Sequence, residues 1–398
     1  PGNAIAPGAQ GQLGLGATYY AANGASRNAS MLFLKQGYLR FHGRGKTPRH
    51  SLRAGRLEFI EGTETTPANA TLAALKRDRI AHRLLGNFGF SHVGRSFDGL
   101  EYKWNRGPRS NLTLMGGRPT RGVFQVDGWG GLDAAVAYGA WTQSRRVRRG
   151  AGEWRLSGIY YDDWRAVVKA DNRPLLERAR DFGRIRVGTF GGNYLHVAET
   201  AAGTFDALFW GVLQTGSWGR LDHRAGAFAL EGGWQPRALP RWKPWLRGGF
   251  QYGSGDSNPA DSRHGTFFQI LPTPRAYARF PFYNLMNNQD AFGQLSLKPH
   301  GRVALRAELH ALRLAERSDL WYLGGGAFQP WSFGFAGRPG GGHSSLATVF
   351  DTSAEVALGK RATLGLYLAN AWGGGVVSSI YPRGSSGRFG FLELLYRF

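Results

Sequence analysis

A chain of 398 residues with 60 Gly, 13% aromatic residues and no Cys, in which no run of about 18 apolar residues occurs, is excluded as a helical membrane protein and offers neither a disulfide framework nor a thiolate metal site. Its 50 Lys and Arg against 27 Asp and Glu give a net charge of +23, which calls for a polyanionic partner. Nucleic acid is excluded as that partner: the basic residues form no helix-turn-helix, RNA-binding signature or zinc finger, and recur instead at alternate positions of strand-like segments.

The chain opens on Pro1-Gly-Asn-Ala-Ile-Ala6, without a charged n-region or an apolar h-region, so any signal peptide is expected to have been removed or left out. From there, segments of about ten residues with alternating character recur between turn signals, the pattern of a transmembrane β-barrel wall. The first are expected near residues 12–20, 31–42 and 50–60. Within the turn after the second, Gly43-Arg-Gly-Lys-Thr47 looks like a phosphate loop. The glycine that motif needs ahead of Lys46 is Arg40, so the segment reads as a basic turn. Residues 71–85 place Leu72, Leu75, Ile80 and Leu84 near helical spacing beside Lys76, Arg77, Arg79 and Arg83. That spacing predicts a short basic amphipathic helix over or inside the barrel, most simply packed on its rim.

Strands follow near residues 96–105, 109–116, 131–144, 152–161, 183–199, 204–216, 222–234 and 241–252. In the first of these Leu100, Tyr102 and Trp104 oppose Glu101 and Lys103, and in the last Leu246, Phe250 and Tyr252 oppose Arg247 and Gln251. Near 183–199 the outward set is read as Ile185 and Val187, which sends Arg184 and Arg186 to the lumen. Residues 253–287, punctuated by Gly and Pro and rich in aromatics, read as an ordered loop folded into the lumen. Strands resume near 288–298, 301–314, 346–358, 360–372 and 388–398. Leu305 and Leu309 face lipid against Arg306, Glu308 and His310; Phe350, Ala354 and Val356 do so against Asp351, Ser353 and Glu355; Leu392, Leu394, Tyr396 and Phe398 do so against Glu393 and Arg397. No dry core accepts faces so charged.

Short basic links alternate with long ones near 61–95, 162–182, 253–287, 315–345 and 373–387, as periplasmic turns alternate with extracellular loops. The expectation is therefore a single all-β domain over residues 1–398, a transmembrane antiparallel up-and-down β-barrel of about 16–18 strands in the bacterial outer membrane. Chemistry is not expected. The His residues show no metal-ligand spacing, which leaves metal and cofactor out, and Asp162, Asp163 and His264, the residues one would try as a rim enzyme, read as solvated loop groups. What remains is inward charge. Arginine is always ionised and matches carboxylates bidentately, so a wall of inward Arg, held apart by Asp and Glu, suits an acidic polysaccharide.

Several stretches carry a resemblance: Arg53-Ala-Gly-Arg-Leu-Glu-Phe59, Arg83-Leu-Leu-Gly-Asn-Phe-Gly-Phe90, Gly94-Arg-Ser-Phe-Asp-Gly99, Asn284-Leu-Met-Asn-Asn288 and Ser318-Asp-Leu-Trp-Tyr-Leu-Gly-Gly-Gly326. Together with the final strand they resemble the alginate export porins of Gram-negative outer membranes, over roughly residues 50–398. The resemblance implies a monomeric barrel of about eighteen strands whose Arg-lined constriction, tempered by acidic residues, passes a polyuronate outward. By that likeness Arg53, Arg56, Glu58, Arg95 and Asp98 are the first choice of pore residues. Alternation adds Arg184, Arg186, Arg247, Arg306, Glu308, Asp351 and Glu355. The partners expected are outer-membrane lipid and lipopolysaccharide, the anionic polysaccharide, and periplasmic export or envelope-assembly proteins. The competing expectation is a structural or docking barrel with a plugged lumen.

Overall fold

The computed structural model describes residues 32–45, 49–89, 93–107, 109–122, 128–273 and 279–397. Alternation along each strand becomes the two faces of one wall. In β13 (Val303–Arg313) Glu308, His310 and Leu312 are buried, whereas Leu309 is 53% exposed. In β16 (Ser345–Ala357) buried Val349 and Asp351 flank the exposed Phe350. The remaining wall strands are β1 (Gly37–His42), β2 (His50–Leu57), β3 (Phe97–Asn105), β4 (Ser110–Pro119), β5 (Ala134–Val147), β6 (Gly150–Asp163), β7 (Ile185–Thr200), β8 (Gly203–Trp218), β9 (Leu221–Pro236), β10 (Trp245–Gly253), β12 (Asn288–His300), β17 (Ala362–Gly373) and β18 (Ser386–Tyr396). Each pairs antiparallel with the next along the chain, and the two-residue β11 (Arg263–His264) adds a sixteenth, parallel to β9. A separate hairpin, β14 (Leu320–Gly324) with β15 (Phe335–Pro339), stands within the link between β13 and β16.

All fifteen long strands coincide with segments read from alternation. The additional strand expected at residues 12–20 lies outside the described residues, as does Phe398. Links of a few residues join the strands at one end, whereas at the other the links 58–96, 120–133, 164–184, 254–287, 314–344 and 374–385 are long. The fold is an all-β, up-and-down transmembrane barrel. Its outer face carries Leu100, Trp141, Leu156, Phe190, Leu213, Leu230, Leu309 and Leu368 in the open, a band that only lipid relieves. Leu309→Arg is expected to destabilise the barrel by about 2–4 kcal/mol in a bilayer refolding titration; unchanged refolding would place β13 out of register by one residue.

The long links fold back inside. In the link 58–96, Asn69 caps α1 (Ala70–Leu75) by accepting from the Leu72 N–H at 3.0 Å, and the chain runs on as a π-helical turn through Lys76–Ile80. Leu72, Leu75, Ile80, Leu84 and Leu85 are buried with Trp210 and Val212 of β8 and with Phe267, Phe268, Ile270 and Leu271 of the link 254–287. Near its ends that second link meets the wall closely. A Cβ at Gly253 would meet the Leu285 carbonyl oxygen at 1.8 Å, so only glycine permits the approach. Phe280 stacks on Phe389 of β18 at 5.4 Å. Side chains of β6, β9, β12 and β18 thus converge on the same inserted segments, around which the sheet wraps.

The inserted segments also explain why one end of the interior is dry. Ile185 and Val187 of β7, Tyr161 of β6 and Trp218 of β8 point inward and are buried against Phe268 and its neighbours. This reverses the facing read for β7. Arg184 and Arg186 lie on the outer side, each half-exposed and within 3.9 Å and 3.8 Å of Asp162. A wall section lined by protein rather than water carries its apolar residues inside, and the alternation keeps its period while changing phase.

Candidate functional site

Two kinds of inward charge can be separated by what they touch. The first is consumed by the inserted helix. Lys76 Nζ donates to Glu153 Oε1 of β6 at 2.6 Å and to Thr65 Oγ1 at 2.5 Å. One turn on, Arg79 forms a bidentate pair with Glu231 of β9 at 2.8 and 2.9 Å, Arg83 reaches the same carboxylate at 3.1 Å, and Arg247 of β10 reaches it at 2.9 Å. Arg247 also holds Asp206 of β8. The guanidinium of Arg79 lies 4.4 Å over the Phe292 ring and that of Arg83 4.8 Å over Trp210. Every side chain of this group is at most 4% exposed. Burial pulls the Lys76 ammonium below its usual range, and the Glu153 charge restores part of the loss. The basic helix expected from residues 71–85 is present, but it lies inside rather than on the rim, drawn there by the wall carboxylates Glu153 and Glu231.

The second kind stays in contact with solvent. On β13 Arg306 donates to Glu308 at 2.5 Å with 16% of its side chain exposed. Cross-strand pairing continues the row from Arg306 to Ser353 of β16, Tyr367 of β17 and Phe391 of β18. Arg279, on the link 254–287, donates to Ser353 Oγ at 2.7 Å and stands 3.7 Å from Glu355, which is 56% exposed. On the helix side Arg77 is 70% exposed and bonded to Asp78, and Glu355 lies close enough to add to what Asp78 does in favouring its charged form. On β2 Arg53 donates to Glu101 of β3 at 2.6 Å and lies 5.1 Å over the Tyr38 ring.

Of the residues singled out by sequence, Arg53, Arg247, Arg306, Glu308, Asp351 and Glu355 therefore face the interior. Others do not. Arg56 and Asp98 form a bidentate pair, 2.7 Å at each contact, on the face shared by Leu100 and Tyr102, where Arg56 also reaches the Leu34 and Gly128 carbonyls. It stands three positions after Arg53, an odd step along an alternating strand, so the two arginines face opposite ways. Glu58, beyond β2, holds Lys35 at 3.1 Å and Asn87 at 3.2 Å. Arg95 is fully buried and donates to the carbonyls of Gly86, Leu271, Gly325 and Ala327. It staples three inserted links, and although burial brings its pKa down to about 9, it remains charged at neutral pH. Glu153, Glu231, Arg77 and Arg279 carry as much of the interior chemistry. For Glu231 the signal was its place opposite Leu230 in an alternating strand.

Residues that an enzyme would need are occupied separately. Asp163 is bonded to Arg165 and Tyr161, and His264 to His223 at 2.9 Å while stacked on Trp218 at 4.1 Å. Glu308, His310 and Asp351 bring ligand atoms within 4.8 Å of one another. Each has its own protein partner: Arg306, Asp290 at 2.9 Å and Tyr367 at 3.2 Å. The Arg306 charge opposes a cation there.

One loop group links the inserted hairpin to pH. Asp319 is buried, accepts from Thr266 Oγ1 at 2.6 Å, Tyr322 OH at 2.8 Å and the Asp256 N–H at 2.9 Å, and burial raises its pKa from 3.8 to about 6. A carboxyl whose folded pKa is raised favours the folded state when protonated, so its contribution fades as pH rises from about 4 to about 6. Thermal unfolding of Asp319→Asn is expected to lack this increment, at most about 3 kcal/mol, which the parent shows between neutral and mildly acidic pH.

A model of the family described as Alginate export matches residues 17–391. Among curated proteins nothing matches. Among solved structures, the crystal structure of Pseudomonas aeruginosa OccK11 (OpdR) is similar at 13% sequence identity with a TM-score of 0.48, covering 88% of this chain and 77% of that one.

Proposed function

Because the chain belongs to the alginate export family, we propose that it is an outer-membrane channel passing an anionic polysaccharide, an alginate-like polyuronate, and related anionic solutes. The passage runs between the solvent-exposed face of the inserted helix, at Arg77, and the wall of β13, β16, β17 and β18, with Arg279, Arg306 and Glu355 along it. One observation carries this reading. The carboxylates of β6 and β9 neutralise Lys76, Arg79 and Arg83 in a sealed half of the interior, whereas Arg77, Arg279 and Arg306 keep contact with water on the other side. Guanidinium groups with room for an oncoming carboxylate bind it bidentately, and Glu355, Asp78 and Glu308 beside them keep each sugar from being held. Binding and release, rather than bond chemistry, is what such a site performs.

The test is the reversal potential of the purified barrel in a planar bilayer under a salt gradient. Preference for anions is expected; strong cation selectivity would sink the proposal. A second reading is favoured by how much of the interior the links 58–96 and 254–287 occupy: a docking barrel for envelope-assembly proteins. It predicts no current at all and a stoichiometric partner on purification from native membranes.

A further inference from the structure

The end of the barrel opposite the long links carries a charge that neither the passage nor the fold uses. Three successive turns, residues 43–49, 106–109 and 145–149, contain Arg or Lys but no Asp or Glu. Backbone hydrogen bonds join them into one rim: the Asn105 N–H donates to the Arg49 carbonyl at 2.7 Å, and the Ser144 N–H to that of Arg109 at 2.7 Å. Arg49, Arg109, Arg145, Arg148 and Arg149 are all exposed on this rim. None of the five guanidinium groups forms an ion pair, side-chain hydrogen bond or ring contact among the described residues. The first exposed carboxylate beyond them is Glu199, whose N–H donates to the Arg149 carbonyl.

A second observation says what sits opposite these charges. A few residues up the same strands, on the outer face, stand Trp104, Trp141 and Trp154; Trp141 is 50% exposed and meets Trp154 edge-on at 5.0 Å. Outward indoles near a strand end mark the level at which hydrocarbon gives way to headgroups. Arginines just past that level project among the phosphates. Short turns of outer-membrane barrels face the periplasm, whose leaflet is phospholipid.

We infer that the rim carrying Arg49, Arg109, Arg145, Arg148 and Arg149 is a binding surface for anionic phospholipid headgroups, selecting phosphatidylglycerol-type lipids over zwitterionic ones. Five unpaired guanidinium groups on one arc, Arg145 outward with Trp141 among them, hold several phosphodiesters at once. The preference is electrostatic, so it weakens with salt.

The experiment uses the full chain reconstituted in phosphatidylcholine vesicles, with spin-labelled phosphatidylglycerol or phosphatidylcholine as the probe, and reads the relative association of each label by electron paramagnetic resonance. Phosphatidylglycerol is expected to associate several-fold more strongly with the parent protein. Arg145→Ser, Arg148→Ser and Arg149→Ser together should remove most of that preference, while the same three positions changed to Lys should retain it. Because the Lys variant keeps the charge, a folding failure of the Ser variant leaves the inference testable. Equal association of the two lipids with the parent, loss of preference in the Lys variant, or its survival in a folded Ser variant would overturn it. So would binding of soluble polyuronate to the detergent-solubilised parent that the Ser variant loses while its lipid preference stands, since the rim would then belong to the polymer.

Discussion

Glu231→Gln is expected to be the most damaging conservative substitution in the molecule, destabilising the barrel by about 3–5 kcal/mol. The carboxylate receives Arg79 at 2.8 and 2.9 Å, Arg83 at 3.1 Å and Arg247 at 2.9 Å, and is itself fully buried. A carboxamide keeps the shape and one acceptor but loses the charge that three buried guanidinium groups share, while Asp206 stays beside Arg247 alone of the three. The apolar contacts of Leu72, Leu75 and Ile80 then hold the helix against that repulsion. Heat-induced unfolding in detergent should show the loss. Single-channel recording should show larger, noisier currents as the helix leaves the wall. A variant as stable as the parent would mean that the carboxylate cluster merely accompanies the helix and does not anchor it.

Selectivity should separate residues that look alike in sequence. Arg77→Glu combined with Arg306→Gln is expected to abolish or reverse anion preference, because both side chains reach solvent in the interior and each charge acts over a Debye length of about 8 Å at physiological salt. Arg56→Glu should leave the reversal potential unchanged, since that guanidinium lies on the opposite face, against Asp98. Arg77 is mostly exposed, so its exchange costs little stability. If Arg56→Glu shifted the reversal potential as strongly as the double variant, the division between the two faces would fail.

Alternation made the wall legible. Leu305, Leu309, Phe350 and Leu394 against Glu308, Asp351 and Glu393 gave the facing of three strands, because a water-facing interior and a lipid-facing exterior impose opposite polarity on adjacent residues. The same rule misread β7. There the interior is filled by Phe268 and its neighbours, so Val187 goes in and Arg186 out, and nothing in the strand itself tells which solvent its apolar face meets. Arg56 was drawn inward by its motif although its spacing from Arg53 forbids both facing one way. Arg95 was likewise taken for a pore residue by its motif, yet it is fully buried and its guanidinium is spent on loop carbonyls. The helix at Ala70–Ile80 was visible in its apolar spacing, but its place depended on Glu153 and Glu231, distant in sequence and paired only once the sheet wraps. Tertiary charge pairing of that kind has no local signature.

The central claim is that uronate carboxylates pass the Arg77, Arg279 and Arg306 side of the interior. Current block by sugar oligomers tests it most directly, with oligouronate and a neutral oligosaccharide of equal length added to single channels in a planar bilayer. The oligouronate is expected to interrupt the current and the neutral sugar to do so far less, and Arg77→Glu with Arg306→Gln to remove the difference. Equal block by both sugars, or a barrel that carries no current, would contradict it.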